Sequence, residues 1–158
     1  MTDMSRLTQH WRRWAPMFSG GNVSVSTTCD DCQIAFRSDD YSVHLRPESS
    51  WWIADTVDDR GRRTNGAAKF SNFDLAEKYL IWDWGTTARP SLAAGPLGTD
   101  LYRLGYAPGI KVTRVDRGYE ICSNGDRVIS SAVNATIFSH LITKSAEEIE
   151  QMVSEGAN

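Results

Sequence analysis

With 158 residues, 41% hydrophobic and 23% charged, the chain has the length and balance of one ordinary globular domain, long enough to bury a core without staples. A formal net charge of −3 excludes bulk electrostatic attraction to nucleic acid or an anionic membrane, and no apolar run approaches the ~18 residues of a membrane span. The opening MTDMSRLTQHWRRW has no apolar stretch of the signal-peptide kind, so the chain is expected to work in the cytoplasm.

Residues 5–18 place Leu7, Trp11, Trp14 and Phe18 on one face of a helix, ended or bent near Pro16. After the loop Ser19-Gly20-Gly21-Asn22, strand signals dominate. Val23 and Val25 alternate with serines, Ile34 to Phe36 is a short apolar run, and Tyr41, Val43 and Leu45 alternate before Pro47. Trp51 to Val57 reads as a strand, Asp58-Asp59-Arg60-Gly61 as a charged turn, and Arg62 to Lys69 as the antiparallel return.

The stretch KFSNFDLAEKYLIWDW, residues 69–84, carries the expected central helix over 72–84. Ser71 and Asp74 suggest a capping box, and Gly85 a C-terminal stop. Phe73, Ala76, Leu80 and Trp84 form one stripe, and Leu75, Tyr79 and Trp82 a second nearly opposite, so neither side can face water. Glu77, beside the first stripe, is of a type that more often pairs with Arg than acts as an acid. Residues 86–108, rich in Gly and Pro, read as a long irregular loop with a helical turn at 100–104.

Ile110 to Ser131, with turns at Arg117-Gly118 and Asn124-Gly125, gives a three-stranded meander. Ala132 to Thr143 suits a helix with Val133, Ile137, Phe138 and Leu141 inward, and Ser145 with Glu148 opens a last helix. The expected architecture is α+β, one domain over 1–158: an antiparallel sheet of about six to eight strands covered by three to four helices.

No catalytic constellation emerges. Cys29-Asp30-Asp31-Cys32 has no second Cys or His pair nearby in sequence, so neither a zinc site nor another cofactor is expected. The CxxC lies between strands instead of opening a helix, and reduced thiols are expected in a cytoplasmic chain. No GxSxG, GxGxxG or phosphate-binding glycine motif is present. His10 falls on the polar side of the first helix, His44 in a strand and His140 near a helix end, where packing or capping is the commoner role. The pairs Asp30-Asp31, Asp39-Asp40 and Asp58-Asp59 all sit in turns. The chain is not expected to be an enzyme.

Six Trp, and thirteen Arg against four Lys, suit either a Trp-rich core or partner anchors, since Trp, Tyr and Arg dominate protein–protein hot spots. Exposed candidates are Asp58, Asp59, Arg60 and Arg62 at the hairpin tip. Arg89, Tyr102, Arg103 and Tyr106 join them from the long loop.

Together, the aromatic-rich FDLAEKYLIWDW helix, the Gly105-Tyr106 turn before a strand, the meander ending in Arg127, and Phe138-Ser139-His140-Leu141 running into Ser145-Ala146-Glu147-Glu148-Ile149 carry a resemblance. Over roughly residues 50–155 the chain resembles the actinobacterial immunity proteins similar to the immunity factor for tuberculosis necrotizing toxin. The resemblance implies an antitoxin that binds a cognate toxin domain one-to-one. That toxin would be an NAD(P) glycohydrolase whose active site is occluded, with no nucleic acid or membrane partner. Two other readings stay open: an enzyme or small-ligand binder with a site near Trp51, Trp52 and His44, and a secretion-chaperone-like module using Arg12-Arg13.

Overall fold

Alternating apolar and polar residues, broken by Asp- and Gly-rich turns, produce one antiparallel eight-stranded sheet in a computed structural model that describes residues 2–155. The strands are β1 (Ser24–Ser26), β2 (Ile34–Arg37), β3 (Ser42–Glu48), β4 (Trp51–Val57), β5 (Arg63–Phe70), β6 (Lys111–Val115), β7 (Gly118–Ser123) and β8 (Asp126–Ser130). Their spatial order is β1-β2-β3-β4-β5-β8-β7-β6, so two meanders meet where β5 pairs β8, with Lys69 opposite Ile129 and Phe70 opposite Val128. The expected α+β class and strand count are thus observed. Pro47 lies inside β3 and does not end it.

Six helices occur among the described residues: α1 (Ser5–Phe18), α2 (Phe73–Ala88), α3 (Pro90–Ala93), α4 (Thr99–Arg103), α5 (Ala132–Phe138) and α6 (Ala146–Glu155). They bury the sheet face carrying Phe36, Val43, Leu45, Ala54, Phe70, Ile121 and Val128. α2 lies at the centre, packed on α1 and α6 as well as on the sheet, and both of its apolar stripes are buried apart from the half-buried Phe73. Trp84 meets Trp11 and Phe36 at 5.0 Å, and Tyr79 meets Phe70 and Phe138 at 5.2 and 5.3 Å. Each large side chain so buried contributes about 1.5–3 kcal/mol.

Several local expectations are corrected. α1 continues past Pro16 to Phe18, because proline in the last turn removes only one backbone bond. Asn72, not Ser71, caps α2 by accepting from the Leu75 N–H at 3.0 Å. The Ser71 hydroxyl accepts instead from the Arg127 N–H. Gly85 does not stop α2 but lies within it. A Cβ there would sit 2.7 Å from the Val153 Cβ, so the missing side chain lets α6 approach.

Residues 86–108 are not one irregular loop. They hold the end of α2, then α3 and α4, and they bury Leu92 and Leu97. Val133 is 48% exposed and does not face inward, because α5 is only seven residues long and turns its first residues to solvent. The Ser145–Glu148 capping box forms as expected, with reciprocal bonds of 3.0 Å.

The cysteines also differ from expectation. Cys29 and Cys32 are joined as a disulfide and are not free thiols; the tight turn between them sets their Cα atoms 5.5 Å apart, within bridging range. Cys122 is free and half-buried.

Candidate functional site

One end of the molecule gathers the C-terminus of α1, the turn before β3, the β4–β5 hairpin tip and the last turns of α2. Between them lies a cavity of about 560 Å³ lined by Phe18, Ser19, Asp40, Tyr41, Asp58, Asp59, Asp83, Trp84 and Thr87. Four carboxylates and three aromatic rings face this space, and no basic side chain lines it. Asp40, Asp58 and Asp59 are exposed, while Asp83, Tyr41 and Phe18 are half-buried and Trp84 is fully buried.

Two of the exposed acids already hold backbone in place, Asp58 within its own turn and Asp40 across to the loop after α1. Asp58 Oδ1 accepts from the backbone N–H groups of Arg60 and Arg62 at 3.0 and 2.9 Å, and Asp40 accepts from the Gly20 N–H at 2.7 Å. Asp83 is different: burial alone pushes its carboxyl up to about 6, with no charge or hydrogen bond opposing it. Burial, and then the neighbouring Asp83 charge, also raises the pKa of the Tyr41 phenol. The Trp84 indole N–H has no acceptor among the described residues. A carboxylate held in packed surroundings beside aromatic faces suits an ammonium or guanidinium group, which would supply the missing charge and stack on the rings.

On the opposite face of the sheet Asp55 is fully buried yet well supplied. It accepts from Arg46 Nε at 2.7 Å, Arg63 Nη2 at 3.1 Å and the Gly66 N–H at 2.8 Å, where Gly66 adopts a φ of 67° at a bulge. Burial alone would raise its pKa. The Arg46 bond, the Gly66 N–H, the Arg46 charge and the Arg63 bond together bring it below the ordinary value.

The sequence-selected residues divide. Asp58 and Asp59 line the cavity, and Arg60 and Arg62 share their hairpin tip, all four exposed. Arg89 instead donates to the Val153 and Ser154 carbonyls at 3.1 and 2.9 Å, closing the end of α6, with its guanidinium 4.9 Å from the Trp14 ring. Tyr102 and Arg103 are exposed on α4, beside Leu104 at 71% exposure. Tyr106 is half-buried in a turn pinned by His140 to the Gly105 carbonyl and by the Ser139 hydroxyl to the Ala107 N–H. Neither Arg89 nor this second patch touches the acidic cavity.

Trp51, Trp52 and His44 do not converge. Adjacent strand residues point to opposite faces, so Trp52 packs on Phe73 while Trp51 lies under Arg127 on the other side. His44 is buried against Ser42. His10 is not on a polar face: it is buried, accepts from the Trp14 indole N–H at 3.1 Å and bonds Glu150 at 2.7 Å. Glu77 pairs with Arg6 at 3.0 Å, as its position suggested.

Four of the six tryptophans are buried and the other two half-buried, so the Trp excess serves the core. Sequence reading missed Asp83 because it sits in an apolar helix run, where nothing marks it as lacking a partner. No helix among the described residues is long and apolar enough to cross a membrane.

The family model for Immunity protein 61 matches residues 18–156, nearly the whole chain. The chain belongs to that family. This is the class that the aromatic helix and the C-terminal signature implied, and membership carries an immunity role toward a cognate toxin. No curated protein matches in sequence. Among solved structures, Rv3902c from M. tuberculosis is similar in fold, with a TM-score of 0.65 at 13% identity, covering 91% of this chain and 86% of that one.

Proposed function

We propose that this member of the immunity protein 61 family neutralises a secreted NAD(P) glycohydrolase by binding it one-to-one in the cytoplasm and covering its active site. The whole chain, 1–158, acts as one domain in this reading, contributing no bond-making step and no cofactor. The observation that carries the mode of contact is the acidic, aromatic-walled cavity beside the Asp58–Arg62 tip, with the Asp83 carboxylate inside it lacking a partner among the described residues. A basic side chain of the toxin entering this space would be paired on arrival. Arg60 and Arg62 would meet acidic groups around it, and the exposed Tyr102–Arg103 patch, with Tyr106 behind it, would extend the contact. Arg89 holds α6 in place and supports the surface without joining it. An inhibitor of this kind should bury about 1,600 Å² or more in total.

Mixing the purified protein with its cognate toxin domain, and following NAD loss, tests the proposal directly. Complete inhibition at one equivalent is expected. Undiminished hydrolysis at molar excess would end the reading for that toxin, and inhibition independent of NAD concentration in a reversible assay would remove occlusion as the mode.

A further inference from the structure

The loop between β1 and β2 folds over the sheet face away from the helices and brings together groups far apart in the chain. Cys32 Sγ lies 3.9 Å from His44 Nδ1, and one ligand atom each of Asp31, Cys32 and His44 falls within 4.8 Å of the others. Cys29 Sγ is bonded to Cys32 and so lies next to this trio without being part of it. The Ser42 hydroxyl holds His44 Nε2 at 2.9 Å, leaving Nδ1 as the nitrogen on the Cys32 side. Arg63 anchors one oxygen of Asp31 at 3.0 Å.

We propose that, when the Cys29–Cys32 disulfide is reduced, this cluster binds one tetrahedral divalent cation of the zinc class through Cys29, Cys32, His44 and Asp31. Tetrahedral zinc with ordinary bond lengths sets a thiolate sulfur and an imidazole nitrogen about 3.6 Å apart, and two thiolates about 3.8 Å apart. The first spacing is nearly present. The second needs only rotation of two side chains whose Cα atoms are 5.5 Å apart, in the Cys-x-x-Cys spacing usual for a zinc ligand pair. The Ser42 contact is the outer-shell bond that metal-bound imidazoles normally have. Two thiolates and Asp31 would leave the centre at −1, and Arg37 and Arg63, whose charges both act on His44, offset it.

The two states interconvert with balanced chemistry. A dithiol reductant delivers two electrons and two protons to the sulfur pair and leaves as its own disulfide, and the metal then displaces the two thiol protons to solvent. The site therefore couples the redox state of the loop to its attachment over β2 and β3.

Titration of the full chain with cobalt(II), after reduction by a phosphine, tests this. One equivalent should bind with a thiolate-to-cobalt charge-transfer band and the intense visible bands of tetrahedral cobalt, and zinc should displace it. His44→Ala should weaken binding by about tenfold or more, and Ser42→Ala by roughly tenfold. The Cys29→Ser/Cys32→Ser double variant, and the oxidised wild-type chain, should show no thiolate band. Cobalt uptake by the reduced wild type no greater than by the double variant overturns the site, as does a spectrum without the thiolate band. Equal uptake by the oxidised chain, or unchanged affinity in His44→Ala, does so too. Should His44→Ala fail to fold by circular dichroism, the Ser42→Ala and oxidised wild-type measurements decide.

Discussion

Asp55 is fully buried and Asp83 half-buried at the wall of a cavity, and the two carboxylates are treated in opposite ways. Asp55 sits on the helix-free face with two guanidinium groups and a backbone N–H around it, and its pKa is held below the ordinary 3.8. Asp83 sits in the acidic cavity with no partner among the described residues, and its pKa rises to about 6. A buried charge that is fully paired within the chain holds the fold together, whereas one left without a partner costs stability and is free to meet a charge from outside. The difference marks one as scaffold and the other as a candidate contact.

The largest expected effect is on the scaffold side. Asp55→Ala removes the buried carboxylate shared by Arg46, Arg63 and the Gly66 N–H, and should lower stability by about 3 kcal/mol in urea denaturation. A loss below about 1 kcal/mol would break the distinction at its firmer end. Because the folded pKa of Asp55 lies below the unfolded value, its contribution is present above pH 3.8 and is lost as pH falls through the folded value.

Asp83→Asn should act with the opposite sign, raising stability at pH 7 by on the order of 2 kcal/mol. The raised folded pKa makes Asp83 favour the folded state only while protonated. Its contribution is complete below about pH 3.8 and is lost as pH rises through about 6. The wild type should thus carry a falling component of stability between those values that the variant lacks, visible as a flatter pH dependence of the melting temperature. The same substitution should weaken the toxin complex by about tenfold or more, measured by calorimetry at pH 7.5. A variant that gains stability and keeps full affinity would separate Asp83 from the interface.

The contrast repeats on a smaller scale at the hairpin tip. Asp58 accepts two backbone N–H bonds, and Asp59 makes no side-chain bond among the described residues. Asp58→Ala should cost about 1 kcal/mol, while Asp59→Ala should stay within about 0.5 kcal/mol and show itself only as weaker toxin binding. Equal stability losses in the two would erase the contrast.

Local pattern made much of the scaffold legible. Asn124-Gly125 and Arg117-Gly118 between alternating runs placed the β6–β8 meander, and the double stripe on residues 73–84 placed α2 at the centre. Both signals depend on neighbours within a few residues. Where a residue answered to a distant one, the sequence was silent. Gly85 looked like a helix stop until Val153 was seen against it, and His10 looked polar until Trp14 and Glu150 closed around it. Leu92 and Leu97 turned an expected loop into packed short helices.

By itself, then, the order of residues determined the α+β class, the hairpins, the central helix, the exposed Asp58–Arg62 tip and the likeness to immunity proteins, because periodicity, turn chemistry and family signatures are written along the chain. Only the tertiary structure decided which acids are paired, which stand open, and that Cys32 lies against His44 across twelve residues. Burial and pairing are properties of the space between elements, and electrostatic cost is set there.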